Sequence, residues 1–198
     1  METLTLLALA YLCGSVPVGF LLSAAAGVDI RACGSGNIGA TNVARVVGWR
    51  QGLFTLLGDA AKGFLPVLVA RYLEFADPQV ALAGLAAFLG HLYPAFLKFR
   101  GGKGVATAFG VLLAVAPLSV LILALVFALV AAVTRAASAA SLAAAAAVPL
   151  VLWLLKSSAP IVGLGLVMAL LVIWRHRDNI QRLLAGTEPK FKPSAHSK

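Results

Sequence analysis

The stretch CGSGNIGATNVAR, Cys33 to Arg45, concentrates groups that could hold an anion. Gly34, Gly36 and Gly39 give a pliable backbone, while Ser35, Asn37, Thr41 and Asn42 add hydrogen-bond donors and acceptors. Arg45 follows, placed on a short helix, with a guanidinium suited to bidentate pairing with phosphate. A second stretch, GGKGVAT, runs from Gly101 to Thr107. Its glycines would let backbone N–H groups approach an anion, at the start of a helix whose N-terminus carries partial positive charge. Lys103 adds a full charge. These are the ingredients of a phosphate cradle, without the spacing of a nucleotide P-loop. In a third stretch, RHRDNIQRLLAGTE, His176 stands between Arg175 and Arg177, with Asn179 and Glu188 further on. Histidine titrates near neutrality and can act as a general base beside cations that suit an anionic ligand. Each stretch also has a plainer reading: a solvated connector, a flexible basic hairpin, and a juxtamembrane cluster that binds lipid headgroups.

Other polar residues qualify this picture. Arg135, Ser138 and Ser141 are spaced to share one side of a helix start. Asp59 and Lys62 stand three apart, so a mutual pair facing a bundle interior is expected, and His91 reads as a packed residue within a span. There is no HxxxxD: His91 is followed five residues on by Phe96, and His176 by Gln181. There is no GxSxG nucleophile elbow and no cysteine near a histidine. Paired carboxylates and multi-histidine clusters are also lacking, so neither a covalent enzyme intermediate, a metal nor a cofactor is expected. Cys13 and Cys33 show no metal spacing, and no structural disulfide is expected between them.

The elements that must position these groups are apolar. Of 198 residues, 61% are hydrophobic and 12% charged, and the mean hydropathy is +0.97. Soluble domains carry about 45–50% apolar and about 25% charged residues. The chain therefore reads as an all-α, polytopic membrane bundle forming a single domain over 1–198. Its net charge of +9 lies at the ends of apolar segments, which points to membrane orientation rather than nucleic acid. The N-terminal run is read as a retained helix: Glu2 is the sole charge before Asp29, and the run exceeds the roughly 7–15 residues of a signal h-region. Leu12 is not the small residue expected before a lipidated cysteine at Cys13.

Expected spans are Leu4–Ala26, Leu53–Tyr72, Val80–Leu97, Ser138–Leu155 and Ala159–Trp174. Between Gly104 and Thr134 lies an uncharged stretch that as one straight helix would reach roughly 46 Å, with Pro117 near its middle. Breaking it there gives seven spans and gathers thirteen of the sixteen Lys and Arg residues on one side, six of them in the tail. A single crossing would split them seven against eight. Since the K/R bias sets orientation, seven spans are predicted, with the N-terminus outside and the C-terminus cytoplasmic. Val105–Ala116 must then be short or partly re-entrant. Glu2, Glu74 and Asp77 fall on the outer face, and the polar segments converge on the cytoplasmic one.

Together, GSGNIGATN, GHLYPAFLKFRGGKGVAT and RHRDNIQRLLAGTE resemble the three signature regions of the bacterial acyl-phosphate-dependent glycerol-3-phosphate acyltransferases. These are small inner-membrane enzymes, and the resemblance covers essentially the whole chain. It implies transfer of a fatty acyl group from acyl phosphate to the 1-hydroxyl of glycerol 3-phosphate. The products would be lysophosphatidic acid and inorganic phosphate, in the first acylation of phospholipid synthesis. Ser35 and Arg45 match essential residues of the first region, and Gly101, Gly102, Lys103 and Gly104 match the glycerol-3-phosphate-linked segment of the second. His176, Asn179 and Glu188 match residues of the third that matter for activity or integrity. The candidate catalytic residues are thus His176, Ser35, Arg45 and Asn179. Candidate substrate- and phosphate-binding residues are Gly36, Asn37, Asn42, Gly101, Gly102, Lys103, Gly104, Thr107, Arg135, Ser138, Ser141 and Glu188. The hydroxyl proton could go to His176 or to a substrate phosphate. Expected partners are the two substrates and membrane lipids, with no nucleic acid and a monomeric chain. The expected location is the bacterial inner membrane, with the active site facing the cytoplasm. The competing class is a transporter of a small phosphorylated metabolite; against it, the polar residues cluster at one face and no internal repeat is visible.

Overall fold

The computed structural model describes residues 2–190. Lys192 and Lys198, two of the six basic residues counted in the tail, lie outside the described residues. Every regular element described is helical: α1 (Glu2–Ser15), α2 (Val18–Ala25), α3 (Ala40–Val46), α4 (Trp49–Tyr72), α5 (Asp77–Leu92), α6 (Val105–Val115), α7 (Pro117–Thr134), α8 (Ala137–Leu154), α9 (Ala159–Arg175) and α10 (Arg177–Leu184). Single 3-10 turns occupy Ile30–Ala32 and Ala95–Leu97. Five segments are long and apolar enough to cross a membrane, or six if α9 and α10, bent by 58° to one another, are taken together.

Two expected spans have different shapes from those predicted. The first is broken: α1 stops at Ser15 and α2 begins at Val18. Pro17 has no N–H and clashes with the preceding turn, and the Val16 carbonyl accepts a bond from Lys62 Nζ at 2.7 Å. The third begins at Asp77 and ends at Leu92, five residues before Leu97, because Pro94 disfavours helical geometry at Tyr93. The long uncharged stretch divides where expected. α6 ends at Val115, and Pro117 opens α7 at a first-turn position where its missing N–H costs nothing.

The brevity of α6 shapes the interior. At its end, the Val115 carbonyl accepts from Arg71 Nη2 at 3.0 Å, which ties it to the last turn of α4. α6 is about 16 Å long and α4 about 36 Å, so α6 begins partway along its neighbour. The two pack almost backbone to backbone: a Cβ on Gly63 would lie 2.2 Å from the Thr107 carbonyl oxygen, and one on Gly110 would lie 1.9 Å from that of Ala60. Small residues permit this approach where lipid supplies no hydrophobic drive between helices. The loop between α5 and α6 is thereby drawn in among the helices. Val67, Phe88, Leu92, Val111, Leu152, Leu164 and Met168 close the core behind it. Leu121, Leu125 and Leu129 stay exposed along α7, as a lipid-facing stripe would be. Asp59 and Lys62 form the expected buried pair, Nζ to Oδ1 2.8 Å, and His91 Nδ1 lies 3.6 Å from the same carboxylate oxygen.

Candidate active site

The first glycine-bearing turn is organised by Asn42, which is 3% exposed at the start of α3. Its Oδ1 accepts from the Ser35 N–H at 2.9 Å, and its Nδ2 donates to the carbonyls of Cys33 at 3.1 Å and Asn37 at 2.9 Å. Three bonds to backbone fold residues 33–37 around one side chain. Gly34 allows this: its φ is +60°, and a Cβ there would stand 2.3 Å from Asn42 Oδ1. Asn37 Oδ1 accepts from the Gly39 N–H at 2.7 Å, which seats the entrance to α3. Arg45 lies on α3 with its side chain exposed to the cavity described below.

The second turn works differently. The N–H groups of Gly101 and Gly102 donate to the carbonyls of Leu92 and His91, each at 3.2 Å, so they are not free to bind an anion. Their carbonyls accept from Arg175, at 2.7 Å from Nη2 and 3.0 Å from Nε. Arg175 is therefore engaged with this loop rather than with a ligand. What these glycines provide is closeness: a Cβ on Gly102 would lie 2.2 Å from His91 Nε2, and one on Gly101 would lie 2.1 Å from the His91 carbonyl oxygen. The turn rests on the end of α5, is clamped from α9, and delivers Lys103 and the start of α6. The N–H groups of that first helical turn have no carbonyl of their own helix to bond.

The third stretch closes the circle. Lys103 Nζ donates to Asn179 Oδ1, Asn179 Nδ2 donates to Glu188 Oε1 at 2.6 Å, and Arg182 Nε donates to Glu188 Oε2 at 2.8 Å. Burial, aided by the charge of Arg182, lowers the Lys103 pKa to about 8. Burial opposes ionisation of Glu188, but the hydrogen bonds from Asn179 and Arg182 prevail and hold its carboxyl below the ordinary value. His176 stands at the junction of α9 and α10, and its Nδ1 lies 2.8 Å from the Val172 carbonyl. A carbonyl can only accept, so Nδ1 carries the proton and Nε2 offers a lone pair. Burial, with the nearby charges of Lys103 and Arg175, pushes its pKa down to about 4, although the bond to Val172 works the other way.

These groups border one cavity of about 760 Å³. Of the candidate catalytic and binding residues, it is lined by Ser35, Asn37, Asn42, Arg45, Lys103, Gly104, Ser138, Ser141, His176, Asn179 and Glu188. Five others lie off its wall. Gly36 turns the first loop at φ +70°. Gly101 and Gly102 lie behind Lys103, and Thr107 is fully buried, its backbone against Gly63. Arg135 is exposed, in left-handed geometry just past the end of α7. Beyond the polar end the cavity continues as an apolar sleeve through Leu112, Val120, Leu123, Phe127, Ala144, Ala145, Val148 and Met168. Three titratable lining residues were not read as site residues: Asp59, His91 and Arg182. The spacing of Arg182, three after Asn179 on one helix, was a signal that could have found it.

Known proteins can be set beside this geometry. A family described as glycerol-3-phosphate acyltransferase matches residues 4–186. The chain belongs to the glycerol-3-phosphate acyltransferase family. The family member from Geobacter metallireducens, named glycerol-3-phosphate acyltransferase, is 64% identical over 94% of this chain and 96% of its own. That from Geobacter sulfurreducens, of the same name, is 57% identical over 97% and 99%. Among solved structures, PlsY (YgiH), described as an integral membrane glycerol 3-phosphate acyltransferase, superposes in its glycerol 3-phosphate form with a TM-score of 0.94. That match has 41% identity and covers 97% of this chain and 96% of PlsY. The lysophosphatidic acid form of PlsY gives a TM-score of 0.91 at 40% identity.

Proposed function

We propose that this acyltransferase moves a fatty acyl group from acyl phosphate to the 1-hydroxyl of glycerol 3-phosphate, releasing lysophosphatidic acid and inorganic phosphate. The observation that carries the reading is the continuity of one cavity from a cation-lined polar end to an apolar sleeve. An acyl phosphate has a charged head and a hydrocarbon tail, and such a cavity accommodates both. Glycerol 3-phosphate is wholly polar and belongs at the head end. Two anions of like charge must be held close together there, and Arg45 and Lys103 supply the compensating field.

Acyl phosphate is a mixed anhydride, already activated, so no enzyme-bound acyl group is needed. The hydroxyl oxygen attacks the acyl carbon, the carbon–oxygen bond to phosphate breaks, and the phosphate leaves with the electron pair. His176 Nε2 is placed to accept a hydrogen bond from the hydroxyl and aim it. A pKa near 4 makes it a weak acceptor of a full proton, which favours a phosphate oxygen as the final acceptor. Asn179, braced by Glu188, positions the Lys103 ammonium. Ser35, Asn37, Ser138 and Ser141 offer polar groups around the same space.

The same reading places the chain in the bacterial inner membrane as a single-domain monomer among lipids. It has seven spans, the N-terminus outside, and the C-terminus and active site at the cytoplasmic face. What supports seven is the break before Pro117 and the basic residues it gathers on one side. α6 then serves as a short, recessed crossing. The test is direct. Purified protein, given radiolabelled glycerol 3-phosphate with palmitoyl phosphate, palmitoyl-CoA or palmitoyl-acyl carrier protein in turn, should yield lysophosphatidic acid with palmitoyl phosphate alone. Product with either thioester would overturn the donor assignment. Uptake of label into liposomes without product would overturn the enzyme reading in favour of transport.

A further inference from the structure

We propose that Arg182 is a phosphate ligand of this site, an inference that rests on the acyltransferase reading for the identity of its substrates. The residue lies on α10, three positions after Asn179, and both line the cavity. Its one side-chain hydrogen bond among the described residues runs from Nε to Glu188 Oε2 at 2.8 Å. A guanidinium presents five N–H donors in a rigid fork. The carboxylate takes the Nε edge and fixes the plane of the fork, leaving the two Nη groups for an oxyanion. The side chain is 37% exposed, while that of its partner Glu188 is 9% exposed, so the more covered acid acts as a mount for a cation that faces open space.

Charge points the same way. The two substrates bring two phosphates, and among the described residues the cations lining the cavity are Arg45, Lys103 and Arg182. Arg182 exerts the strongest charge effect on Lys103, ahead of Glu188, Asp178 and Arg175. Two cations held close enough to disfavour each other are unfavourable in an empty site and favourable around an anion. The chain Arg182–Glu188–Asn179–Lys103 sets both at a fixed separation with one carboxylate between them. A purely structural clamp on Glu188 would need neither the exposure nor the place on the cavity wall.

The experiment compares wild type with Arg182→Gln, Arg182→Lys and Glu188→Gln, purified in the same detergent. Each substrate is varied at saturating levels of the other, and inorganic phosphate binding is titrated calorimetrically. Arg182→Gln should raise KM for one substrate by about tenfold or more, as expected for losing a charged hydrogen bond, with Arg182→Lys recovering part of the loss. The substrate whose KM moves identifies the phosphate held, glycerol 3-phosphate or acyl phosphate. Removing the Arg182 charge should also shift the alkaline limb of kcat/KM upward, because Lys103 then keeps its proton longer. Glu188→Gln should shift that limb downward. The proposal is overturned if both KM values and phosphate affinity stay at wild-type levels in Arg182→Gln, or if Arg182→Gln and Glu188→Gln move the limb in the same direction. Failure of wild type to make lysophosphatidic acid would instead sink the acyltransferase reading, and the phosphate titration would still decide the role of Arg182.

Discussion

The two glycine-bearing turns look alike as sequence and are built on opposite plans. In the first, around Gly34 to Gly39, one buried side chain organises the backbone: Asn42 makes three bonds to main-chain groups, and a glycine with positive φ lets the loop wrap it. In the second, around Gly101 to Gly104, the backbone is organised by other elements. α5 takes its N–H groups, Arg175 of α9 takes its carbonyls, and glycine serves to bring the strip against His91. One turn carries its own scaffold and the other borrows one. Similar composition therefore does not imply a similar way of meeting an anion: in the second turn the charge of Lys103, not the N–H groups of Gly101 and Gly102, faces the cavity.

The comparison breaks most sharply at Lys103. Lys103→Ala should lower kcat/KM for glycerol 3-phosphate by roughly a thousandfold, the scale of losing a charge-stabilising group, with unchanged insertion and purification. Wild-type kinetics would remove Lys103 from the site. Gly102→Ala should come next. The added carbon would meet His91 Nε2 at 2.2 Å, and His91 is 3% exposed with little room to move. A loss of about 1–3 kcal/mol in stability is expected from overpacking, with activity falling roughly a hundredfold as Lys103 is displaced. Thermal unfolding and initial rates measure the two; a variant with normal values for both would contradict the borrowed-scaffold account. Asn42→Ala tests the self-contained turn. Its three backbone partners would lose their bonds, at a cost of roughly 1 kcal/mol or more for each group left buried, and activity should fall about thirtyfold. Asn42→Asp should fare no better, since a carboxylate cannot donate to the carbonyls of Cys33 and Asn37.

How much of this was visible beforehand follows from the same contrast. The turn groups themselves, the charge pair Asp59–Lys62 and the break at Pro117 were legible because each depends on residue type or local spacing. The break at Pro17 was not, since an unbroken apolar run on both sides hid it. The scaffold role of Asn42 was invisible because its partners are backbone atoms up to nine residues away. Arg175 and Arg182 sit in one basic cluster, yet the first clamps a loop and the second lines the cavity. Only the bend between α9 and α10 separates their roles, and no composition reports a bend. The apolar sleeve was equally hidden: Ala144, Ala145 and Val148 read as membrane helix whether they face lipid or substrate.

The pH dependence sharpens the second turn alone. With the Lys103 pKa near 8, the ammonium is present below that value and lost as pH rises through it. The alkaline limb of kcat/KM should therefore turn near pH 8 and fall about tenfold per unit beyond. In Lys103→Arg that limb should disappear, because a guanidinium keeps its proton throughout the range. His176, with a pKa near 4, stays neutral from pH 5 upward, so no inflection from it should appear between pH 5 and 8. A limb near 6.5 that vanished in His176→Gln would show that the ring titrates normally and is less buried than its setting here.

The smallest effect belongs to Gly36, and it separates backbone strain from collision. Its φ is +70°, but a Cβ there would meet only the Arg31 carbonyl oxygen at 3.1 Å, and the residue lies off the cavity wall. Gly36→Ala thus carries the conformational penalty of left-handed geometry, about 1 kcal/mol, with a mild squeeze on one exposed loop. Because Asn42 holds the turn from its other side, the strain should appear as a small drop in unfolding temperature and an activity loss of about threefold or less. Gly102→Ala adds no backbone strain, yet it is expected to cost far more. If the two variants proved equally damaging, glycine would be needed in both turns for the same reason, and the distinction between a turn that holds itself and one held by its neighbours would fail.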